Sequence, residues 1–237
     1  MKNFRLTKNA FAAVFFATAL TVSFTSCKDD DDDDPIVIAK VDNGNVLVSS
    51  SITTNTTWET GKVYQLGGRI SVVNGVTLTI QKGVIVKGEA GTGANATALL
   101  IARGAKLMAE GTATEPIIFT SVADEIAPAD IVAGNFASPN LDPTQNGLWG
   151  GLIVLGKATI SASKTEVQIE GIPTSDPNGL YGGSEDADNS GVLKYISIRH
   201  GGSLIGAGNE INGLTLGAVG SGTTIDHIEV VGNQDDG

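Results

Sequence analysis

The 237-residue chain has one cysteine, Cys27, and two histidines. A disulfide framework within the chain is thereby excluded, and so is a zinc site of the usual Cys/His kind. Aromatic residues make up only 5% of the sequence, so any sizeable core has to be aliphatic. Basic residues are also few, 15 against 26 acidic, for a formal charge of -11. Beyond the first eight positions they are scattered. Phosphate recognition needs a concentrated basic surface, so nucleic acid is not an expected partner. Amphipathic helices are missing too, because no segment keeps an apolar 3.6-residue period long enough for a surface helix. No spanning run follows the first 26 residues, which leaves a transporter role without support.

What is present begins with an export signal over residues 1–26. Lys2, Arg5 and Lys8 form a positive start, and Ala10 to Phe24 form an apolar stretch too short for a membrane span. The small residues Thr25 and Ser26 then precede Cys27. This arrangement resembles a bacterial lipobox, with Phe24 where leucine is commoner. The resemblance implies that the Cys27 thiol takes a diacylglycerol and becomes the mature N-terminus. The alternative is an ordinary signal peptide with an incidental cysteine. The run "KDDDDDD" that follows resembles the export signal of Bacteroidota surface lipoproteins. Six adjacent carboxylates repel one another and stay solvated, so residues 27–35 read as a tether. They lack the glycine turn and spaced ligands of a calcium loop.

Residues 36–237 read as a single all-β domain. Short apolar runs such as "KVYQLGG", "VTLTIQKGVIVKGEAG" and "GLTLGAVG" alternate over three to six residues and stop at Gly or Asn. Two near-repeats stand out. "LTIQKGVIVKGEAG" and "LLIARGAKLMAEG" share a pattern at an offset of about 21 residues, read as one coil length. "LKYISIRHGG" aligns with "IDHIEVVGNQ", putting Leu193, Ile196 and Ile198 on Ile225, Ile228 and Val230. Irregular repeats with Gly or Asn at the corners predict a right-handed parallel β-helix, each coil stacking on the next. A β-sandwich is the rival, and the Asn-Gly pairs at 74–75, 146–147, 178–179 and 212–213 would suit its hairpins. Two segments break the rhythm, Ala123 to Gly147 and Ile172 to Gly191, and are expected to be loops gathered on one face. The closing "NQDDG" follows a strand directly, which reads as a solenoid incomplete at its C-terminal end.

The elements "NGLWGGLIVLGKATIS", "GVLKYISIRHGG" and "IDHIEVVGNQDDG", behind "CKDDDDDD", resemble a group of Bacteroidota surface lipoproteins with pectate-lyase-like β-helices. The resemblance implies the fold and an outer-membrane, surface-exposed location. It implies no particular reaction.

Enzymes of this fold suggest which residues to weigh. Polygalacturonase-like hydrolases place paired aspartates near a Gly-His-Gly. Here Asp235, Asp236 and His200 beside Arg199 are the candidates, although His200 precedes the carboxylates and an Asn-Thr-Asp element is absent. The competing reading makes Asn233 and Asp236 corner residues bonded to local backbone. Lyases of the fold use a basic residue with calcium, for which Lys194 and Arg199 are available. Glu185, Asp186 and Asp188 have loosely calcium-like spacing, with the ligand order wrong. A solvated acidic turn is the plainer reading, and a structural calcium ion is the only cofactor entertained. Trp58 and Trp149 are candidate sugar-stacking platforms, although a single tryptophan in a strand is more often packing, and His227 is expected to face solvent or stack on the neighbouring coil. "GEAGTGANA" lacks the ending of a phosphate loop. The favoured function is a lipid-anchored, non-catalytic module binding a glycan or another envelope protein. The alternative is a polysaccharide lyase or glycoside hydrolase, which needs a basic residue and carboxylates on one face of neighbouring coils.

Overall fold

The computed structural model describes residues 44–206, 209–234 and 236–237. The export signal, Cys27 and the aspartate tether lie outside the described residues, as does Asp235. The chain enters with β1 (Val46–Val48) and β2 (Thr56–Trp58). A first coil follows, made of β3 (Val63–Leu66), β4 (Arg69–Val72) and β5 (Thr77–Ile80). The second coil is β6 (Ile85–Gly88), β7 (Ala98–Ile101) and β8 (Lys106–Glu110). The third begins with β9 (Ile117–Ser121) and, after an insertion carrying helix α1 (Pro128–Val132), continues through β10 (Gly151–Leu155). A second insertion holds the small antiparallel pair β11 (Val167–Gln168) and β12 (Leu180–Tyr181). Then come β13 (Gly191–Arg199), the antiparallel pair β14 (Ser203–Gly206) and β15 (Asn209–Ile211), β16 (Leu214–Gly217) and β17 (Thr224–Val231).

Every pairing between successive coils is parallel, and the strands form three walls. Wall one stacks β1, β3, β6, β9 and the second halves of β13 and β17. Wall two stacks β4, β7, β10 and β16. Wall three stacks β2, β5, β8 and the first halves of β13 and β17. This is the parallel β-helix that the sequence predicts, and the sandwich is excluded because its hairpins are replaced by parallel stacking. The inward residues form ladders along the axis at the ~4.8 Å spacing of neighbouring strands. Trp58, Ile80, Ala109, Leu193 and Ile225 run up wall three, and Tyr64, Val86, Phe119, Ile198 and Val230 up wall one. Ile70, Leu99, Leu152 and Leu214 complete the interior from wall two. Alternation over a few residues is enough because each strand hands one side to this interior; Leu78 and Ile80 of "TLTI" are fully buried, and Thr77 and Thr79 are not. At Gly88 the ladder has no side chain, and Trp149 fills the space; a Cβ there would lie 2.6 Å from the indole.

Two expectations are corrected. The similar segments at 78–91 and 99–111 do not stack: Leu78 pairs with Leu107, and Leu99 pairs with Ile70. Their likeness is that of strand–turn–strand units on successive walls, so the offset is not a coil length. The two insertions also do not share a face. The first packs Ile126 and Ile131 onto the outward side chains of Ile85 and Ile118 on wall one. The second packs Ile169 and Ile172 onto outward Leu100, Ile153 and Leu155 on wall two. Each covers an apolar patch that water would otherwise touch, which is why each stays on its own wall. The alignment of Leu193, Ile196 and Ile198 with Ile225, Ile228 and Val230 is the observed register.

Candidate functional site

Wall one carries most of the unusual chemistry. Its outer surface presents Gln65, Lys87 and Thr120 in register on successive coils, and farther along Ser197 beside Glu229. The first insertion lies across the middle and is held there by polar bonds. The buried Asp124 carboxylate accepts from Thr120 Oγ1 at 2.8 Å, Ser138 Oγ at 2.8 Å and the Ile126 amide at 3.0 Å. Lys87 Nζ donates to the Asp124 carbonyl at 2.5 Å. Arg199 donates through Nε to Ser197 Oγ at 2.8 Å and through Nη1 to the Phe136 carbonyl. His200 Nδ1 meets the Gln145 carbonyl at 2.7 Å, and since a carbonyl only accepts, Nδ1 carries the proton. Trp149 Nε1 donates to the Arg199 carbonyl at 2.8 Å.

Burial penalises both cations. It lowers Lys87 below the ordinary lysine range, opposed by Asp124, Glu125 and Asp130. It likewise lowers Arg199, opposed first by Glu229 and then by Asp124. Asp124 is therefore one carboxylate whose field reaches two buried cations, while its own oxygens are committed to neutral donors.

A cleft opens on each side of the insertion. The first, about 600 Å³, is bounded by Asn45, Val46, Lys62, Lys87, Glu125 and Pro128. The second, about 350 Å³, is bounded by Ser138, Leu141, Pro143, Arg199, His200 and Glu229.

A family described as a pectate-lyase-like β-helix domain matches residues 50–137 and again 136–237. The chain belongs to this β-helix family. Comparison with curated proteins and with solved structures found no match. The two family matches meet at Phe136 and Ala137, inside the insertion that Arg199 and His200 hold down.

Within this β-helix the sequence-predicted residues separate. Arg199 and His200 share the second cleft, and both are almost fully buried, at 7% and 1% exposure. Lys194 stands on wall three, in register with Glu110 and Asp226, and its Nζ lies 3.8 Å from the Asp226 carboxylate. The corner at Tyr195 divides it from Arg199. Asp236 is exposed, and its main-chain carbonyl accepts from the Asn233 side chain; of the two expected corner side chains only that of Asn233 bonds local backbone among the described residues, and to a carbonyl rather than an amide. The acidic loop does not converge. Glu185 lies 3.7 Å from Lys157, Asp186 accepts from the Thr159 amide at 3.0 Å, and Asp188 accepts from Ser190 Oγ at 3.0 Å. Among the described residues, no three His, Cys, Asp or Glu side chains are grouped as a metal ion requires. Trp58 and Trp149 are buried in packing, as expected. His227 stacks on Tyr195 of the neighbouring coil, also as expected.

Lys87, Asp124 and Glu229 were not singled out by sequence reasoning. The available signal was a lone lysine inside the apolar "VIVKG", which a solvent-facing strand position explains equally well. Only the insertion folding over it makes Lys87 a buried cation.

Proposed function

We propose that this chain is a lipid-anchored protein of the bacterial outer surface whose β-helix is a non-catalytic glycan-binding module. The clefts of wall one are its binding surface. The observation that carries the reading is that the candidate catalytic groups do not converge on one face. Arg199 and His200 donate to backbone carbonyls of the insertion, and Lys194 stands on another wall. A lyase or hydrolase site needs its base and carboxylates on one face, and the Nε2 lone pair of His200 belongs to a ring only 1% exposed. The sequence of residues 1–35 supports the anchor and the tether, with Cys27 as the lipidated residue.

The test uses the unlipidated body from Pro35 onward on a panel of neutral, uronic and sulfated polysaccharides, with and without calcium. Binding with the polysaccharide recovered unchanged is expected. New unsaturated or reducing ends would replace this reading with that of a lyase or hydrolase. No binding across the panel would direct the search to an envelope protein.

A further inference from the structure

The second cleft contains a cation that the protein does not fully use. A guanidinium has five N–H donors in a planar fork. In Arg199, Nε donates to Ser197 Oγ and one Nη1 proton goes to the Phe136 carbonyl. The other three donors have no protein acceptor among the described residues. No carboxylate lies within ion-pair distance of Arg199 among those residues either, although the side chain is more than nine-tenths buried. Removing a charge from water without a partner is unfavourable. The nearby negative charges compensate only at a distance. Asp124 is held by Thr120, Ser138 and the Ile126 amide. Glu229 stands exposed at the cleft wall, with no hydrogen bond or ion pair of its own among the described residues. The Lys87 cleft is less suited to an anion, because Glu125 bounds it and three carboxylates of the insertion already act on the lysine.

We propose that the second cleft is an oxyanion subsite, in which Arg199 takes a carboxylate or sulfate group carried by the bound glycan and Glu229 is the built-in competitor. This rests on the glycan-binding reading above. The open edge of a guanidinium matches a planar or tetrahedral oxyanion through two parallel N–H···O bonds. A ligand oxyanion completes the bonding of Arg199 and displaces the field of Glu229 from it. The wall position of Glu229 makes it a tuning charge that weakens binding of anions relative to neutral sugars.

The experiment compares wild type, Glu229→Gln and Arg199→Lys by calorimetry on dextran, carboxymethyl-dextran, dextran sulfate and every polysaccharide that binds in the panel. Thermal melts are run on each variant. Glu229 makes no hydrogen bond or ion pair among the described residues but offsets the buried charge of Arg199 at a distance, so Glu229→Gln is expected to stay folded and melt slightly below the wild type. That variant is expected to bind anionic glycans about three- to tenfold more tightly at low salt relative to neutral ones. Arg199→Lys keeps the charge and loses the fork, so anionic binding falls about tenfold or more. A carboxylate preference or a sulfate preference identifies which oxyanion the cleft takes. Binding confined to neutral glycans, or an unchanged affinity of Glu229→Gln for anionic ones, overturns the subsite and leaves the glycan module standing. An absence of binding to any glycan overturns both. Turnover of an anionic glycan that Glu229→Gln binds more tightly keeps the subsite and overturns the non-catalytic reading.

Discussion

Tyr195 and His227 occupy the same corner of successive coils, and their rings stack with centroids 4.2 Å apart and planes 23° apart. Both residues have left-handed backbone, with φ of 49° and 54°. The corner lets β13 and β17 each run from wall three onto wall one without a break in the strand. A left-handed conformation is unfavourable by about 1–2 kcal/mol for a residue with a Cβ. The ring stack returns about 0.5–1.5 kcal/mol. Tyr195→Val loses the stack and puts a β-branched side chain at positive φ, so a loss of about 2–3 kcal/mol is expected in urea denaturation. Tyr195→Gly loses the stack but relieves the left-handed backbone, so it is expected to lie close to the wild type and well above the valine variant. Equal midpoints for the valine variant and the wild type would show that the corner tolerates any residue.

Lys87 gives the fold a pH dependence with a definite sign. Its folded value is held below the ordinary 10.5 by burial. The unfolded chain therefore binds that proton more tightly than the folded one. Its unfavourable contribution is full below the depressed value and fades as pH rises from there toward 10.5. Stability should accordingly gain with pH across that window. Lys87→Met keeps much of the stem packing but leaves the buried Asp124 carbonyl without its donor, and is expected to be less stable by about 1–3 kcal/mol near neutral pH. The difference between the two proteins should widen as pH approaches 10. A difference that is flat with pH would mean that the buried amine is not the titrating group.

His200 and Gly232 are equivalent positions in consecutive coils, following the pair Arg199 and Val231. Their φ angles are 57° and 60°. Glycine is the easy residue at such an angle, so the imidazole at 200 is held there by its bond to Gln145. His200→Gly loses that bond and relieves the backbone, whereas His200→Ala loses the bond and keeps the strain. The alanine variant should be the less stable of the two by about 0.5–1 kcal/mol in denaturant melts. The reverse order would mean that the backbone at 200 is unstrained.

Much of the solenoid was legible in the sequence, and the reason is local. Inward residues recur every second position, so the match of Leu193 with Ile225 needs no knowledge of distant parts of the chain. The same locality explains the error over the segments at 78–91 and 99–111. A strand–turn–strand unit looks alike on any wall, and the wall is decided by the number of residues between corners. The candidate site was legible only by residue type. Arg199 and His200 drew notice as chemically able groups, but their carbonyl partners lie 63 and 55 residues away along the chain. Asp124 and Lys87 are 37 residues apart and become partners only once the insertion folds back. No spacing pattern encodes such a closure.

The anchor is tested at Cys27. In cells supplied with a labelled fatty acid, the wild-type chain is expected to take up label and move to the membrane fraction. Cys27→Ser is expected to lose both. Label retained by the serine variant would place the lipid elsewhere, and no label on the wild type would leave an ordinary signal peptide as the explanation.

The most direct measurement is hydrogen–deuterium exchange of the body with a bound panel glycan, with the glycan recovered afterwards and weighed by mass spectrometry. Binding to wall one is expected to protect the insertion around Ser138 to Pro143 together with the strand around Glu229, and to return the glycan intact. Protection centred on Lys194 and the Tyr195 corner, or a glycan returned shortened, would contradict a non-catalytic module that binds through wall one.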